Sequence, residues 1–370
     1  MKIALIHDYL TQKGGAERVF KLLCHHFPTA DIYTSLYDPV ETIELGDRAV
    51  QTTVLQNIPG ASKHFRLMAP FYYSAFRALD LRDYDLLISS STSFAKSVRK
   101  RPDAQHICFC HNVTRFLWDT ETYLRKFSGY QKFYALIQPI FQAMRSTDLA
   151  SAREPDLYIA NSTTVASRIK NIYSQNALVV NYPIDASKFS FSSQKQDYYL
   201  VCSRLLSYKR IDVVVDAFNT LKLPLKIIGE GPEEMQLKAR AGSNIEFLGP
   251  VSDSTRMELM AHAQAVLVAA LEDYGLVPIE ANASGTPVIA YGAGGVLDTQ
   301  VPGQTGVFFK SQTAESVQDA VTSAAGINWD YRSIQKHALS NFSETIFFQK
   351  VDQVIDQFCN RRAASELVRA

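Results

Sequence analysis

Two glutamates, Glu272 and Glu280, are separated by seven residues in a stretch with apolar flanks. Carboxylates at this spacing can accept hydrogen bonds from the hydroxyl groups of a polyol, or they can act as a general acid and base. The alternative is a solvated pair of acids that interacts with a helix macrodipole. Spacing alone leaves these interpretations open.

The residues around the two glutamates carry the signals of a short helix. Gly275 opens a turn, Pro278 is tolerated only in a first helical turn, and Gly285 provides a left-handed stop. Apolar runs at 265–270 and 287–291 predict a strand on either side. The stretch is therefore predicted to be a strand, a loop, a short helix and a second strand.

This arrangement predicts a crevice with charged groups of both signs. Glu272 is placed in the loop and Glu280 about two turns into the helix, at the carboxyl ends of parallel strands, where open α/β sheets bind ligands. Arg204 and Lys209 follow the apolar run 198–202, so a guanidinium and an ammonium group can converge on a diphosphate there. A solvated basic loop is the alternative.

Gly14 and Gly15 lie between the first predicted strand and the first predicted helix. Backbone N–H groups of such a loop, together with the helix N-terminus, can hold a diphosphate or sugar oxygens. A simple tight turn is the alternative. Because the spacing G-x-G-x-x-G is missing, a nicotinamide enzyme is not indicated.

His111 follows an apolar strand, 106–110, and either hydrogen-bonds a ligand or is a satisfied, partly buried ring. It lies close to His106, Cys108 and Cys110. We do not interpret the four as a zinc site, because alternate strand residues point to opposite faces and three of them would have to turn inward together.

The segment 63–82 combines basic and aromatic residues and predicts an amphipathic helix interrupted at Pro70. Such a helix can lie on an anionic membrane surface or receive a lipid-linked acceptor, or it can pack against its own domain. Residues 1–181 also hold an excess of basic residues and the remainder an excess of acidic ones, although the net charge is only +1.

Length and composition exclude several classes of protein. A chain of 370 residues with 46% hydrophobic and 20% charged residues is globular and long enough for two domains. Its 5 cysteines fit a reducing compartment better than a disulfide framework. A histidine and an aspartate follow the N-terminus too early for a signal peptide, which predicts a cytoplasmic protein, either unattached or on the inner face of the membrane.

Strand and helix patterns alternate in both halves of the chain and predict an α/β protein with doubly wound parallel sheets. Proline, serine, glutamine and lysine interrupt the apolar period near 181–197, where we place the linker. A long helix is predicted over 343–358. The two halves are therefore interpreted as two Rossmann-like domains.

Several separated motifs occur in the order found in one family. They are the glycine loop, His111 with Arg115-Phe-Leu-Trp118-Asp119, Ser203-Arg204 with Lys209, Ile228-Gly-Glu-Gly-Pro232, Phe247-Leu-Gly249, the stretch from Glu272 to Glu280, and Gly303-Gln-Thr-Gly306. The sequence resembles the GT-B glycosyltransferases of the retaining family 4. Within that family it is similar to bacterial O-antigen and exopolysaccharide mannosyltransferases.

The resemblance implies two Rossmann-like domains with a cleft between them and a C-terminal helix that crosses back to the first domain. The expected boundaries are 1–182, completed by 345–370, for the acceptor domain and 195–344 for the nucleotide-sugar domain. In the family the acceptor enters from the first domain, whereas the donor binds mainly to the second.

The resemblance also assigns roles to residues. Arg204 and Lys209 would hold the diphosphate, Glu280 the ribose hydroxyls and Glu272 a hydroxyl of the donor sugar. His111 would hydrogen-bond the donor sugar and complete the catalytic set with Arg204, Lys209 and Glu272. The other donor-binding residues implied are Gly14, Gly15, Gly229, Tyr274, Gly275, Leu276 and Val277, the last four through backbone amides. The implied acceptor residues are Arg115, Trp118 and Asp119.

The implied activity is hexosyl transfer with retention of configuration, without metal or other cofactor, in which the leaving phosphate takes the acceptor proton. GDP-mannose is the favoured donor, and the acceptor is lipid-linked or a polysaccharide; nucleic acid is not expected as a partner. The alternatives are UDP-glucose or UDP-N-acetylglucosamine with a glycolipid acceptor, a GT-B sugar-nucleotide epimerase, and a non-catalytic sugar-nucleotide binder.

Overall fold

The computed structural model describes residues 1–120 and 130–367, and the side chains among them except those of 130–137 and 361–367. The chain forms two compact units: Met1–Val180 together with Gln353–Ala370, and Asn181–Asp352. Each unit contains its own parallel sheet. A last helix, Glu344–Leu367, begins in the second unit, and its residues from Gln353 onward belong to the first. The family resemblance implies such a helix.

The described part of the first unit contains a seven-stranded parallel sheet. In chain order its strands are β1 Ile3–His7, β2 Asp31–Thr34, β3 Val50–Thr52, β4 Leu86–Ser91, β5 Gln105–Cys110, β6 Leu157–Ala160 and β7 Ala177–Val179. They are arranged in the order 3-2-1-4-5-6-7. The chain therefore reverses its winding between β1 and β4, which makes their carboxyl ends a ligand-binding edge in folds of this type.

The α-helices of the first unit connect these strands. They are α1 Gly15–His26, α2 Ala69–Arg77, α3 Arg115–Trp118, α4 Tyr130–Ser151 and α5 Thr163–Arg168. Every residue of β4 and β5 is buried. Helices cover both faces of a doubly wound sheet, so its central strands have no solvated face.

The second unit contains a six-stranded parallel sheet within the described residues. Its strands are β8 Tyr199–Cys202, β9 Leu225–Ile228, β10 Ile245–Gly249, β11 Val266–Val268, β12 Val288–Tyr291 and β13 Gly306–Phe309. Their order, 10-9-8-11-12-13, is the 3-2-1-4-5-6 order of a dinucleotide-binding sheet. The corresponding reversal lies between β8 and β11.

The helices of the second unit are α6 Ile211–Leu221, α7 Glu234–Arg240, α8 Asp253–His262, α9 Leu276–Ala283, α10 Ala314–Ala325 and α11 Tyr331–Phe342; α12 is the shared helix Glu344–Leu367. Apolar side chains on the two faces of this sheet form separate core clusters. One cluster includes Phe218 of α6 and Val321 of α10, and the other includes Met260 of α8 and Ala281 of α9.

The structure corrects the prediction for 63–82. A 3₁₀ turn covers Phe65–Met68, and α2 begins directly after it at Ala69. Pro70 lies in the first turn of α2, where its missing N–H costs nothing, so it starts the helix instead of interrupting it. Among the described residues, no helix is long and apolar enough to cross a bilayer.

Candidate functional site

A cavity of about 180 Å³ lies at the carboxyl ends of β8 and β11, where the winding of the second sheet reverses. The end of β8 and the residues after it, 202–204, line one wall, and the end of β11 and the residues after it, 267–270, line another. The charged groups Lys209 and Glu272 and the first turn of α9 complete its lining. The position is the one at which doubly wound sheets bind their ligands.

Lys209 and Glu272 form an ion pair in this cavity through Nζ and Oε1. Their side chains are 15% and 24% exposed, so water reaches both groups. Arg204 is exposed, and its Nη2 lies 3.4 Å from the hydroxyl of Tyr208. The cavity therefore holds a cation that an incoming phosphate can attract away from Glu272, and a second cation beside it.

Gly229 allows the loops after β8 and β9 to approach each other closely. It follows β9 with a φ of +124°, and a Cβ at this position would collide with the carbonyl oxygen of Ser203. Ser203 also donates its N–H to Ile228, at 3.0 Å from the carbonyl oxygen. Gly229 therefore allows the close packing of the loop that carries Arg204. Its role in donor binding is an expectation from the family resemblance.

Helix α9 starts as the sequence indicates. Gly275 precedes it with a φ of +85°, and Gly285 follows it with a φ of +75°, a conformation that favours glycine. The first N–H groups of a helix have no intrahelical acceptor, and those of Leu276 and Val277 belong to this turn. They provide dipoles for an anion, whereas Pro278 provides no donor.

Glu280 is the fifth residue of α9, little more than one turn into the helix instead of two. It is 4% exposed, and Arg256 of α8 donates a hydrogen bond from Nη1 to its Oε2 at 2.6 Å. Burial lowers the pKa of Arg256, but the charge of Glu280 and this hydrogen bond raise it overall. Arg256 thus holds the carboxylate that the resemblance assigns to the ribose.

Tyr274 is buried and donates its hydroxyl hydrogen to the carbonyl oxygen of Tyr182 at 2.6 Å. Burial raises the pKa of this phenol, so it stays protonated as a donor. Of the four residues implied to bind through amides, Tyr274 therefore contributes its side chain to the fold, next to the loop that carries Glu272.

His111 lies in the first unit, directly after β5, and is 7% exposed. Its Nε2 is 2.7 Å from the hydroxyl oxygen of Ser90, the neighbouring residue of β4. Burial and the nearby His7 lower the pKa of His111 to about 3, so the ring is neutral at ordinary pH. A neutral, buried ring is the state in which a histidine can hydrogen-bond a sugar hydroxyl without adding charge.

The two glycines of the first loop have different surroundings. Gly14 precedes α1, and a Cβ there would lie 2.5 Å from Oε2 of Glu17. Gly15 is the first residue of α1, and a Cβ there would meet no atom within 4 Å among those described. The absence of a side chain at Gly14 thus leaves room for the carboxylate of Glu17.

The three implied acceptor residues lie in α3 or directly after it. Arg115 and Asp119 form an ion pair at 3.4 Å, with side chains 42% and 45% exposed. Trp118 donates its indole hydrogen to Asp148 of α4 at 2.6 Å. The indole of Trp118 is therefore committed to a contact within the protein, whereas Arg115 and Asp119 remain open to solvent.

Asp148 has a buried carboxylate that accepts several hydrogen bonds, and the sequence did not indicate it. Its carboxylate accepts hydrogen bonds from Lys96 Nζ at 2.6 Å and from the hydroxyl of Tyr73 at 2.8 Å, besides the indole of Trp118. Tyr173 donates to the same carboxylate at 2.9 Å. Burial raises the pKa of Asp148, but the charge of Lys96 and these hydrogen bonds hold it below its usual range.

Neither Asp148 nor Arg256 belongs to a recognisable motif. Asp148 is 52 residues from Lys96 in the chain, and Arg256 is 24 residues from Glu280. Only the fold shows that these charges meet. A charged residue in a mostly apolar run, such as Lys96 in Phe94-Ala-Lys-Ser-Val98, is the signal that could have indicated such a pair.

Contrary to our expectation, the side chains near His111 do not point to opposite faces of the strand. His106, Cys108 and Cys110 are alternate residues of β5, so they share one face of the strand. They follow one another along that face, and the Nε2 of His106 is 2.8 Å from the hydroxyl of Ser89. In the part of the chain that the structure describes, no three His, Cys, Asp or Glu side chains are grouped to hold a metal ion.

Two parallel, doubly wound sheets with a charged cavity at a winding reversal are the architecture of GT-B glycosyltransferases. Two family models match the chain in succession, Glycosyltransferase Family 4 at residues 13–188 and Glycosyl transferases group 1 at residues 184–338. The chain belongs to this family of glycosyltransferases.

Known relatives and a solved structure agree with the assignment. The chain is 28% identical over 189 residues to a glycogen synthase of Mycobacterium tuberculosis, covering 46% of each protein. It is 23% identical over 206 residues to O-antigen chain mannosyltransferase C of Escherichia coli, covering 51% of each. The chain thus spans about half the length of these curated relatives. Anabaena HepE, solved in complex with UDP, has the same fold: the TM-score is 0.69 at 18% identity, covering 96% of this chain and 100% of HepE.

Proposed function

We propose that this glycosyltransferase moves a hexose with retention of configuration from a nucleotide sugar, GDP-mannose in first place, to a lipid-linked or polysaccharide acceptor. The observation that carries the proposal is the cavity after β8 and β11, which is lined by Arg204, Lys209, Glu272 and Val277 of α9. In our proposal the two cations and the first turn of α9 bind the diphosphate, and Glu272 binds the sugar. The similarity to an O-antigen mannosyltransferase supports mannose.

Donor binding exchanges the partners of two side chains. The diphosphate takes Lys209 from Glu272, and Glu272 then accepts a hydrogen bond from a sugar hydroxyl. Both exchanges replace one charge-assisted interaction by another, so Lys209 and Glu272 have a partner both before and after donor binding. Free nucleoside diphosphate supplies no hydroxyl at the sugar position and leaves Glu272 facing its negative charge, which favours the complete donor.

The chemical step follows from the charges around the leaving group. As the bond from the sugar to the diphosphate breaks, Arg204, Lys209 and the amides of Leu276 and Val277 stabilise the negative charge that develops. The departing phosphate oxygen takes the proton of the acceptor hydroxyl, which attacks from the same face. Glu272 positions the sugar, and this scheme requires neither a metal ion nor a covalent enzyme nucleophile.

The donor is tested with purified protein and a panel of GDP-mannose, UDP-glucose and UDP-N-acetylglucosamine. We expect the largest rise of the melting temperature with GDP-mannose, transfer to an acceptor glycan in the presence of EDTA, and a product with the anomeric configuration of the donor by NMR. A product of opposite configuration, or loss of activity in EDTA, contradicts the mechanism.

A UDP-sugar donor is the second candidate, because HepE, which shares the fold, was solved with UDP. A larger rise of the melting temperature with UDP-glucose than with GDP-mannose supports a UDP-sugar donor. An epimerase is distinguished by incubation without acceptor, since only an epimerase converts the donor sugar under that condition. Binding without turnover over a broad acceptor panel indicates a non-catalytic binder.

The acceptor side of the proposal includes contact with an anionic membrane. Leu67 and Phe71, in the 3₁₀ turn and in α2, are 70% and 56% exposed, and Lys63 and Arg66 are exposed nearby. Exposed apolar side chains with neighbouring cations suit the surface of an anionic bilayer. Elsewhere, α2 packs against its own unit through Tyr72 and other buried residues.

Vesicle binding tests this contact. Parent protein is expected to sediment with vesicles that contain phosphatidylglycerol but not with phosphatidylcholine vesicles, and Phe71→Ser combined with Leu67→Ser is expected to abolish binding. Val40→Ser is the control, because Val40 is 77% exposed and outside the segment. Equal sedimentation of all three proteins rejects the surface.

A further inference from the structure

Four buried side chains form a continuous chain at the winding reversal of the first sheet. His7 ends β1, Ser90 lies opposite it on β4, and His111 follows β5. Ser90 connects the two rings, with its hydroxyl oxygen 3.0 Å from Nδ1 of His7 and 2.7 Å from Nε2 of His111. Glu17 of α1 lies at the far end, with Oε1 3.8 Å from Nε2 of His7.

The far end of this chain carries a fixed negative charge. Burial raises the pKa of Glu17, but His7 and a hydrogen bond from Gln12 hold it below its usual range. Gln12 donates from Nε2 to Oε1 at 3.0 Å, and Gly14 leaves room for the other carboxylate oxygen. Glu17 also lies in the first turn of α1, where the helix dipole favours a carboxylate.

An ionised carboxylate attracts an N–H group and repels the lone pair of an unprotonated nitrogen, so at 3.8 Å it favours the hydrogen on the nitrogen of His7 that faces it. Nε2 faces Glu17, and a neutral His7 therefore carries its hydrogen there and has a lone pair on Nδ1. The ring is held in this orientation by stacking on Phe20, with the centroids 4.7 Å apart.

The hydroxyl group of Ser90 has a single hydrogen, so the position of the hydrogen on His7 determines its position on His111. When Ser90 donates that hydrogen to Nδ1 of His7, its oxygen can only accept from His111. Nε2 of His111 must then carry the hydrogen. The reverse arrangement, with Ser90 donating to His111, requires a hydrogen on Nδ1 of His7. His7 is then either doubly protonated or has an unprotonated Nε2 facing the carboxylate of Glu17, which repels its lone pair.

We propose that Glu17, through His7 and Ser90, sets the tautomer of His111, so that its hydrogen resides on Nε2 and its Nδ1 is a hydrogen-bond acceptor. Glu17, His7 and Ser90 are positioning residues in this scheme. An acceptor nitrogen suits a donated hydroxyl hydrogen of a sugar, and this consequence rests on the function proposed above. The tautomer itself does not depend on that function.

Nitrogen NMR of histidine-labelled protein without substrate measures the tautomer directly. At pH 8.5 we expect the His111 signals of the parent protein to show the hydrogen on Nε2. A hydrogen on Nδ1 of His111 overturns the proposal without the need for any variant.

His7→Phe keeps a ring on Phe20 but removes both nitrogens, which frees the hydroxyl of Ser90 to donate to His111. We expect the His111 signals to move toward the Nδ1-protonated form. Ser89→Ala is the matched control, because Ser89 contacts Nε2 of His106 in the same way, at 2.8 Å. This control should alter the signals of His106 and not those of His111. Unchanged His111 signals in His7→Phe overturn the proposal.

Activity separates this inference from the proposed function. If hexose transfer occurs, His7→Phe is expected to lower kcat by up to about 100-fold, through misplacement of His111, with a smaller effect on KM. The expected tautomer in a protein that transfers no hexose leaves the inference intact and rejects the function. Normal transfer by a His7→Phe protein with an unchanged His111 tautomer rejects the inference and leaves the proposed function intact.

Discussion

Gly14 and Gly15 are adjacent, yet a side chain would meet different surroundings at each position. Gly15→Ala places a methyl group in open space at the first residue of α1. We expect it to raise the stability by roughly 0.5 to 1 kcal/mol, because alanine loses less backbone entropy than glycine. Gly14→Ala forces the carboxylate of Glu17 to move and is expected to destabilise.

Thermal unfolding of both variants checks this difference, and a lower melting temperature for Gly15→Ala contradicts it. The same variants test the role that the family resemblance gives the glycine loop. A stable Gly15→Ala protein with impaired donor binding supports close approach of the donor to this loop, and unimpaired binding rejects it for Gly15.

Lys195 is a second residue whose environment can be tested. Its Nζ lies 2.7 Å from the carbonyl oxygen of Ala261 and 2.7 Å from the hydroxyl of Thr286, and 4.8 Å from the ring centre of Tyr331. Its two hydrogen-bond acceptors are neutral, and burial lowers the pKa of Lys195 to about 7.

The lowered pKa predicts a pH-dependent stability. An unfolded lysine has a pKa of about 10.4, so between pH of about 7 and about 10 the unfolded chain binds a proton that the folded protein does not. The stability contributed by this group therefore rises with pH over that window. Lys195→Met is expected to remove the rise, measured as the difference in melting temperature between parent and variant at pH 7 and pH 9.5. A difference that does not change with pH contradicts the prediction.

At the scale of elements, Asp148 and Lys96 connect α4 to the loops after β4 and β5. Both side chains are at most 2% exposed. Lys96→Met leaves a buried carboxylate without its cation and is expected to cost about 3–5 kcal/mol. Adding Asp148→Asn removes the stranded charge and should recover part of that loss, as a double-mutant cycle measures.

Lys100→Met is the control for this pair. Lys100 lies 3.2 Å from Asp156 in a partly exposed ion pair, with side chains 17% and 32% exposed, and its loss is expected to cost less than about 1 kcal/mol. Equal losses of unfolding free energy for Lys96→Met and Lys100→Met in chemical denaturation contradict a larger contribution of the buried pair Lys96–Asp148 to stability.

The elements also show which structure could be predicted from the sequence. The strands predicted at 106–110 and 287–291 were confirmed to within one residue as β5 and β12, because each is an apolar run that ends before a polar or glycine residue. Strands β3 and β7 were missed. Each has three residues, lies at an edge of its sheet and is partly exposed, so the pattern of a buried strand is absent.

The site was only partly predictable for a related reason. Arg204, Lys209 and Glu272 border one cavity because strand ends converge, a rule that the sequence pattern can use. Arg256, Glu17 and Ser90 contact their partners through packing between distant segments, which no spacing encodes. Glu280 was expected to border one crevice with Glu272; it accepts a hydrogen bond from Arg256 of α8 and is not among the residues that line the cavity after β8 and β11.

In the whole molecule, the same winding pattern occurs once in each unit. Both sheets reverse their winding next to their first strand, and each reversal carries polar groups at the carboxyl ends. In the second unit these groups are a cation and a carboxylate that suit a nucleotide sugar. In the first unit they include the rings of His7 and His111 and the hydroxyl of Ser90, and our proposal assigns His111 to a hydroxyl group of the donor sugar.

The most direct test of the central claim is the affinity for GDP-mannose, measured by calorimetry for the parent protein, Lys209→Met and Lys238→Met. Lys238 is a matched control in an exposed ion pair with Glu234. Loss of a charge-assisted contact with phosphate is expected to weaken binding by roughly 10- to 100-fold in Lys209→Met and to leave Lys238→Met unchanged. Binding by Lys209→Met with the affinity of the parent would contradict the assignment of this cavity to the donor.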